Sequence, residues 1–539
     1  MILPADKGKV TVVMDKLEYC EKLRTLLDEG PYTPVQRDPG PKLRRELHKK
    51  LTPAFSEQRI SRTELLRLCP THYQTPHIYG LLKIHKPGVP LRPIVSMRDG
   101  LLSSVSRRLA DIMAPFVSQC DSYVKDSEDL VLRLSERSFT GGCFASLDVV
   151  SLFTNVPVKE TLEVFRQLLC GDDSLSERTP FSVEEILDLS SFVLSSCYFR
   201  HFDGLFQQNE GATMGSSLGP VAANLFMAHL ETLAFQMALD CDLKVPSLWL
   251  RFVDDVLIFW PHSEEELLSF VNFVNEMRPS IHFNLDQQTD GQLPFLDVCI
   301  HYSGSEVSFS VYRKPTHTDL YLRRDSAHPR SVFKGILSAL GMRAQRVCSK
   351  KRISEERRHL RNVFRRNGYD DQEISCGLRV NRSGRSERVE GRRHALPYFP
   401  GTSERIAKAL REVGVLASMK PISTLKSMLV RKRPESPRIH GAVYDIACSD
   451  CSWNYVGETG RTIEERRREH HRAVKNCDVQ RSEVARHAIE EGHRVRVEEM
   501  KIIEKESNWK RRVIKEALWT RKLEGSNKVN FEISGAWRF

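Results

Sequence analysis

Arg251-Phe-Val-Asp-Asp-Val-Leu-Ile-Phe-Trp260 is the stretch on which the fold turns. Phe252-Val253 and Val256 to Trp260 are short β-branched or aromatic runs on either side of two adjacent aspartates. The pattern predicts a strand, a tight turn and a second strand, with Asp254 and Asp255 at the tip. Two ionised neighbours in apolar company repel each other and lose hydration, and a divalent cation is the usual compensation. A solvated Asp-Asp turn is the simpler alternative, and the flanking apolar runs argue against it.

Working outward, Ser146-Leu-Asp-Val-Val-Ser-Leu-Phe-Thr-Asn155 supplies a third carboxylate. Asp148 ends an apolar strand, Cys143 to Leu147, and precedes a predicted helix over 159–169. Three carboxylates on two strands can hold two magnesium ions roughly 3.5–4 Å apart, clamping the attacking and leaving oxygens of a phosphoryl transfer. Mg²⁺ takes few carboxylates plus substrate phosphates, which suits a nucleotide-polymerising site.

Asp148, then Gly215-Ser-Ser-Leu-Gly-Pro220, then Phe252-Val-Asp-Asp255 resemble motifs A, B and C of reverse transcriptases, in that order. More narrowly, the chain resembles Penelope-like retroelements, whose polymerase is similar to telomerase. The phrases that carry this are Ala5-Asp-Lys-Gly8, Tyr79-Gly-Leu-Leu-Lys-Ile-His-Lys-Pro87, Leu91-Arg-Pro-Ile-Val95, Asp148 to Pro157, Phe295-Leu-Asp-Val298 and Lys314-Pro-Thr-His-Thr-Asp319. The resemblance implies a multidomain α+β chain. Residues 1–140 would hold the fingers and N-terminal part, 141–325 an antiparallel palm with motifs A to E, and 326–430 a basic helical thumb and linker. Family members usually have sequence before the Asp-Lys-Gly phrase, so the chain reads as truncated at its start.

The resemblance also assigns roles. Lys83 and Arg92 would contact the triphosphate; point charge and a planar fork both suit phosphate, and an ordinary basic loop is the alternative. Phe153 would be the steric gate against a ribose 2′-hydroxyl, against the competing reading of a core phenylalanine. Gly215 lies in the loop beneath the incoming base pair, where glycines 211, 215 and 219 let the backbone pass close to a ligand. Pro220 suits the first turn of the apolar helix over 221–233. Phe295 to His301 and Val307 to Arg313 are strand-like, Asp297 reads as structural, and Lys314 opens a segment similar to the primer grip.

Charge is unevenly placed. Residues 341–440 carry 25 Lys and Arg against 10 Asp and Glu, whereas residues 1–340 are net −7 within a chain of +11. Ten of those basic residues fall between Met342 and Arg366, at spacing compatible with a helix. Phosphate contact explains this better than a solvated charged helix, and such affinity falls as salt rises. Residues 367–400, rich in Gly, Ser and Arg, read as a mobile insert or linker. Thirteen cysteines, mostly scattered singly, fit a reducing compartment, and no 18-residue apolar run predicts a membrane span.

Beyond Arg431-Lys-Arg-Pro-Glu-Ser-Pro437 the composition changes. Gly441-Ala-Val-Tyr444 reads as a strand start and Asn454-Tyr-Val-Gly457 as the end of a second strand, followed by helices over 462–474 and 508–523. Residues 438–539 resemble a GIY-YIG endonuclease, a small α/β module. The resemblance makes Tyr444 and Tyr455 the paired tyrosines, Arg466 the scissile-phosphate ligand and Glu516 the holder of a single Mg²⁺, with His470 and Asn530 as further candidates. A tyrosine hydroxyl can relay a proton from water if a neighbouring charge lowers its pKa. Cys448 and Cys451 have metal-ligand spacing; with His487 and His493 they would form a closed, structural Zn²⁺ site, provided the fold closes the gap of 35 residues between the pairs. Two ordinary thiols and two surface histidines are the alternative.

The chain thus reads as an RNA-directed DNA polymerase of a retrotransposable element, coupled to a DNA-nicking endonuclease for target-primed reverse transcription. Its partners would be template RNA, primer and target DNA and dNTPs, with no membrane. Its location would be the nucleus, with the cytoplasm also open. A truncated or host-retained nucleic-acid-binding protein without polymerase activity is the rival reading. A telomerase-like enzyme with a dedicated RNA is disfavoured by the attached nuclease.

Overall fold

Four antiparallel strands run in the order Phe283–Gln287, Cys143–Val149, Asp255–Trp260, Leu248–Phe252. They come from a computed structural model that describes residues 1–7, 10–71, 73–84, 86–202, 204–209, 211–212, 215–379, 393–421, 440–480 and 482–523. Asn530 and the 431–437 stretch lie outside these residues. The chain divides into two units, Met1–Lys432 and Arg433–Phe539.

Both faces of the four-stranded sheet are covered. Ala145, Leu147, Val256, Ile258 and Trp260 pack with Phe226 and Leu230 of the long helix Leu218–Asp240 and with Phe270 of Glu264–Met277. On the other face Phe144, Leu257 and Phe259 pack with Ile300, Tyr302 and Phe309 of a three-stranded sheet. Double-sided burial is why Val256 to Trp260 is a continuous apolar run rather than an alternating one. Each such buried side chain contributes about 1.5–3 kcal/mol of transfer free energy.

Phe252 pairs with Asp255, which leaves Val253-Asp254 as a two-residue loop. Asp255 therefore begins the second strand instead of sharing the tip. Val253 holds φ at 60°, a left-handed conformation that a β-branched residue adopts only under strain.

Leu296 and Asp297 interrupt the strand expected over 295–301. Phe295 pairs with Val298 across a tight turn in which Leu296 has φ of 55°. Asp297 receives the Ser127 hydroxyl and lies 3.5 Å from Arg343, in keeping with a structural role. A five-stranded sheet contains the basic hairpin His77–Leu82 and Leu91–Ser96. The basic run over 342–366 is broken into Arg330–Val347 and Ile353–Arg366, which pack with Asp371–Leu378 around Phe333, Leu360, Phe364 and Tyr369. Part of the expected linker is thus ordered: besides that last helix, Arg393–Pro397 pairs in parallel with Leu416–Lys420.

In the second unit His440–Ala447 is the middle strand of three, flanked by Asn454–Thr462 and Lys501–Lys505. Asn454 to Gly457 begins its strand and does not end one. Three helices follow, Ile463–Lys475, Glu483–Glu490 and Trp509–Lys522. Among the described residues no helix is long and apolar enough to cross a membrane. The expectation of a multidomain α+β chain holds.

Candidate functional site

The antiparallel register sets Asp255 directly opposite Asp148. Directly opposed residues point to one face with Cβ atoms roughly 4.5–5.5 Å apart, so these two carboxyls are neighbours by backbone geometry alone. Asp254 is held beside them by its carbonyl, which accepts the Val149 N–H at 2.9 Å. Burial first, and Asp254 and Asp148 next, push the Asp255 carboxyl up to about 6. Asp148 is raised for the same reasons, desolvation and then Asp254. Like-charged carboxyls crowded into a cleft bind a proton or a cation more readily than water-exposed ones.

Basic groups ring the acids. Lys314 lies in electrostatic range of Asp255, and Lys86 in range of Asp148. Lys83 sits with Lys86 and Arg92 on the basic hairpin and near Lys7 of the N-terminal segment; desolvation followed by these like charges holds its ammonium below the usual lysine range. Lys7 has no role assigned from sequence; it lies in electrostatic range of Asp148, Asp255 and Lys314.

The loop before the long helix packs tightly. Gly215 has φ of 124°, and a Cβ there would lie 2.0 Å from the Val95 carbonyl oxygen. Gly211 has φ of 75° and would place a Cβ 2.4 Å from the Thr154 oxygen. The Ala212 N–H donates to the Phe153 carbonyl at 2.6 Å, which fixes the half-buried Phe153 beside this loop.

The second unit gathers its predicted residues as well. Arg466 Nε donates to the Tyr444 hydroxyl at 2.8 Å, and that hydroxyl is 2.9 Å from His470 Nε2. The Tyr444 hydroxyl thus bridges the guanidinium and the imidazole, accepting from Arg466. Burial and then Arg466 push the His470 imidazole down to about 3, so it is neutral. Tyr455 packs against Tyr444 and His470 at ring distances of 6.4 and 5.7 Å. Glu516 accepts the Glu458 N–H at 3.2 Å, and burial followed by the Glu458 charge pushes its carboxyl up to about 7. Burial outweighs the Arg466 charge, so the Tyr444 and Tyr455 hydroxyls lie above the usual tyrosine range.

Cys448, Cys451, His487 and His493 bring their ligand atoms within 4.8 Å of one another. Cys451 Sγ lies 3.5 Å from His487 Nε2, which is 3.3 Å from His493 Nδ1. A tetrahedral zinc with bonds of about 2.0–2.3 Å separates its donors by about 3.3–3.8 Å, so the set can close on one ion with small side-chain shifts. The Asp450 and Trp453 N–H groups donate to the Cys448 and Cys451 sulfurs at 3.3 and 3.4 Å.

Residues 84–286 match the model of the reverse transcriptase (RNA-dependent DNA polymerase) family. The match contains Asp148, Phe153, Gly215, Asp254 and Asp255. This part of the chain is a reverse transcriptase domain. Residues 320–378 match an animal helix-turn-helix domain. No curated protein matches the sequence. Among solved structures, the telomerase of Candida albicans in complex with a fragment of telomeric RNA aligns at 9% identity, over 70% of this chain and 67% of that one, with a TM-score of 0.49. The apo telomerase of Candida tropicalis aligns at 12% identity, over 70% and 65%, with a TM-score of 0.40. The RNA-dependent RNA polymerase of BmCPV aligns at 11% identity, over 63% and 28%, with a TM-score of 0.38.

Inside the reverse transcriptase domain a fully buried ionic network anchors the acid hairpin. Arg251 donates from Nε to Glu231 at 2.5 Å and from its terminal nitrogens to the Asn224 side chain and carbonyl at 2.7 and 3.0 Å. Ser122 Oγ donates to the other Glu231 oxygen at 2.6 Å. Sequence reading gave these residues no part. Arg251 borders the predicted strand and Asn224 and Glu231 the predicted helix, but nothing local shows that the two elements pair their polar groups.

Proposed function

We propose that this protein is an RNA-directed DNA polymerase of a Penelope-like retrotransposable element, and that its second unit is a GIY-YIG endonuclease that nicks target DNA to expose the priming end. The polymerase half is carried by one observation, the opposition of Asp148 and Asp255 with Asp254 alongside, inside a reverse transcriptase domain.

The carboxyl set fits a pair of magnesium ions: three hard oxygen donors gathered together, two of them raised by burial and then by crowding. Bound there, magnesium would neutralise charge on the attacking and leaving oxygens. The chain's own residues do the rest. Lys83, Arg92 and Lys314 hold the triphosphate of a dNTP, Gly215 lets the backbone pass under the new base pair, and Phe153 excludes a 2′-hydroxyl. The basic helices between 330 and 378 follow the backbone of template RNA and primer. In the second unit Glu516 would hold one Mg²⁺, Arg466 contacts the scissile phosphate, and His470 orients the Tyr444 hydroxyl. The Cys448, Cys451, His487 and His493 set holds Zn²⁺ structurally. A nuclear location follows from this activity. Asn530 keeps only the role that its resemblance implies.

Primer extension on RNA and DNA templates, with dNTPs and rNTPs compared, tests the polymerase. The wild type extends with dNTPs on RNA and Asp254→Ala does not. Plasmid nicking tests the nuclease: Glu516→Ala loses nicking and keeps extension. Salt-sensitive nucleic-acid binding with neither activity in the wild type would favour the binding-protein reading.

A further inference from the structure

Lys7 is a cation near the acids to which the polymerase reading gives no part. Its segment is docked by the backbone: the Asp6 N–H donates to the Leu82 carbonyl at 2.9 Å, and the Ala5 N–H to the Val10 carbonyl at 2.8 Å. Asp6 is buried, with 3% side-chain exposure, and one of its oxygens lies 3.4 Å from Arg92 Nε. The other carboxylate oxygen, Oδ2, is sealed from solvent without a hydrogen bond. Asp6 thereby pins Arg92 and the start of the chain to the basic hairpin. The next residue, Lys7, comes within electrostatic range of Lys314 and of the acids.

Lys7 and Lys314 lie close enough to depress the Lys314 ammonium beyond what burial does, and such a pair of like charges is unfavourable by itself. In the metal-free cleft the carboxylates of Asp148 and Asp255 offset it. Two magnesium ions would bring four positive charges to those carboxylates and leave Asp6 as the carboxylate still offsetting the lysines. A polyanion must then fill the gap between Lys7, Lys83, Arg92 and Lys314, and a triphosphate has the charge and length to do so.

We propose that Lys7, positioned by Asp6, is a binding residue for the β- and γ-phosphates of the incoming nucleotide, closing the triphosphate site from the N-terminal segment. This rests on the polymerase reading, and its test separates the two. Binding of inorganic tripolyphosphate to the full chain in Mg²⁺ is measured by calorimetry, beside steady-state extension. Lys7→Ala weakens tripolyphosphate binding at least tenfold and raises KM for dNTP by a similar factor, with template–primer affinity unchanged. Lys7→Arg restores most of both, and Asp6→Asn gives an intermediate loss. If the wild type fails to extend a primer, the polymerase reading falls, while the tripolyphosphate measurement still decides the role of Lys7. Should Lys7 serve only as a counter-ion to the carboxylates, Lys7→Ala would tighten Mg²⁺ and leave tripolyphosphate binding as it was, which overturns the proposal.

Discussion

Arg251 and Glu231 form an ion pair of 2.5 Å with both side chains sealed from solvent, 0% and 5% exposed. The pair joins the strand that leads into the acid loop to the long helix behind it. Removing one partner of a buried pair leaves an uncompensated charge, at a cost of about 3–5 kcal/mol, whereas replacing both by apolar groups is far milder. Arg251→Ala is therefore expected to lower the urea midpoint sharply and to abolish extension. Arg251→Met with Glu231→Leu recovers much of the stability. Comparable melts for the wild type and the single variant would show that the network is dispensable.

Magnesium affinity at the polymerase site should follow the carboxyls. Asp255 titrates near 6 in the folded chain against an ordinary 3.8, so the folded state binds the extra proton. That contribution to stability is fully present below about 3.8 and is lost as pH rises through about 6. The metal-free protein accordingly loses stability from this group between those values, and Mg²⁺ restores it by binding the ionised form. Thermal melts with and without Mg²⁺ are expected to differ little at pH 5 and clearly at pH 8. An equal Mg²⁺ effect at both would contradict the assignment.

Much of this was legible in the sequence, and the reasons are local. The acids announced themselves because apolar runs on both sides of Asp254 and Asp255 exclude an ordinary surface turn. Arg466 and His470 could be placed together because helical spacing alone puts residues i and i+4 on one face. Other features depended on contacts far along the chain. Lys7 is brought to the palm from the other end of the domain, and the Arg251–Glu231 pair spans two elements. The Leu296-Asp297 turn was hidden because apolar Phe295 to Ile300 looks like one strand, with no glycine to mark the left-handed residue.

The four Cys and His ligands should hold one zinc ion per chain. Elemental analysis reads its presence, and X-ray absorption should give two sulfur and two nitrogen neighbours, with Zn–S of about 2.3 Å. Cys451→Ser or His493→Ala is expected to lose the metal and to destabilise the second unit. A stoichiometric, metal-free protein with an unchanged melt would remove zinc from the account.

Gly215→Ala should be among the most damaging small substitutions, because the new Cβ would stand 2.0 Å from the Val95 oxygen at a φ of 124°. Extension is expected to drop at least tenfold, with the loop before the long helix displaced. Gly304→Ala serves as the control: its φ is also positive, but a Cβ there meets nothing within 4 Å, so a modest loss of stability without loss of extension is expected.

The most direct test of the central claim is RNA-templated primer extension by Asp255→Asn, a change that keeps the side chain's size and removes one metal-binding charge. Loss of a metal clamp worth several kcal/mol predicts extension reduced by roughly a thousandfold with template–primer affinity intact. Extension at the wild-type rate would contradict the claim that Asp148, Asp254 and Asp255 form a polymerase centre.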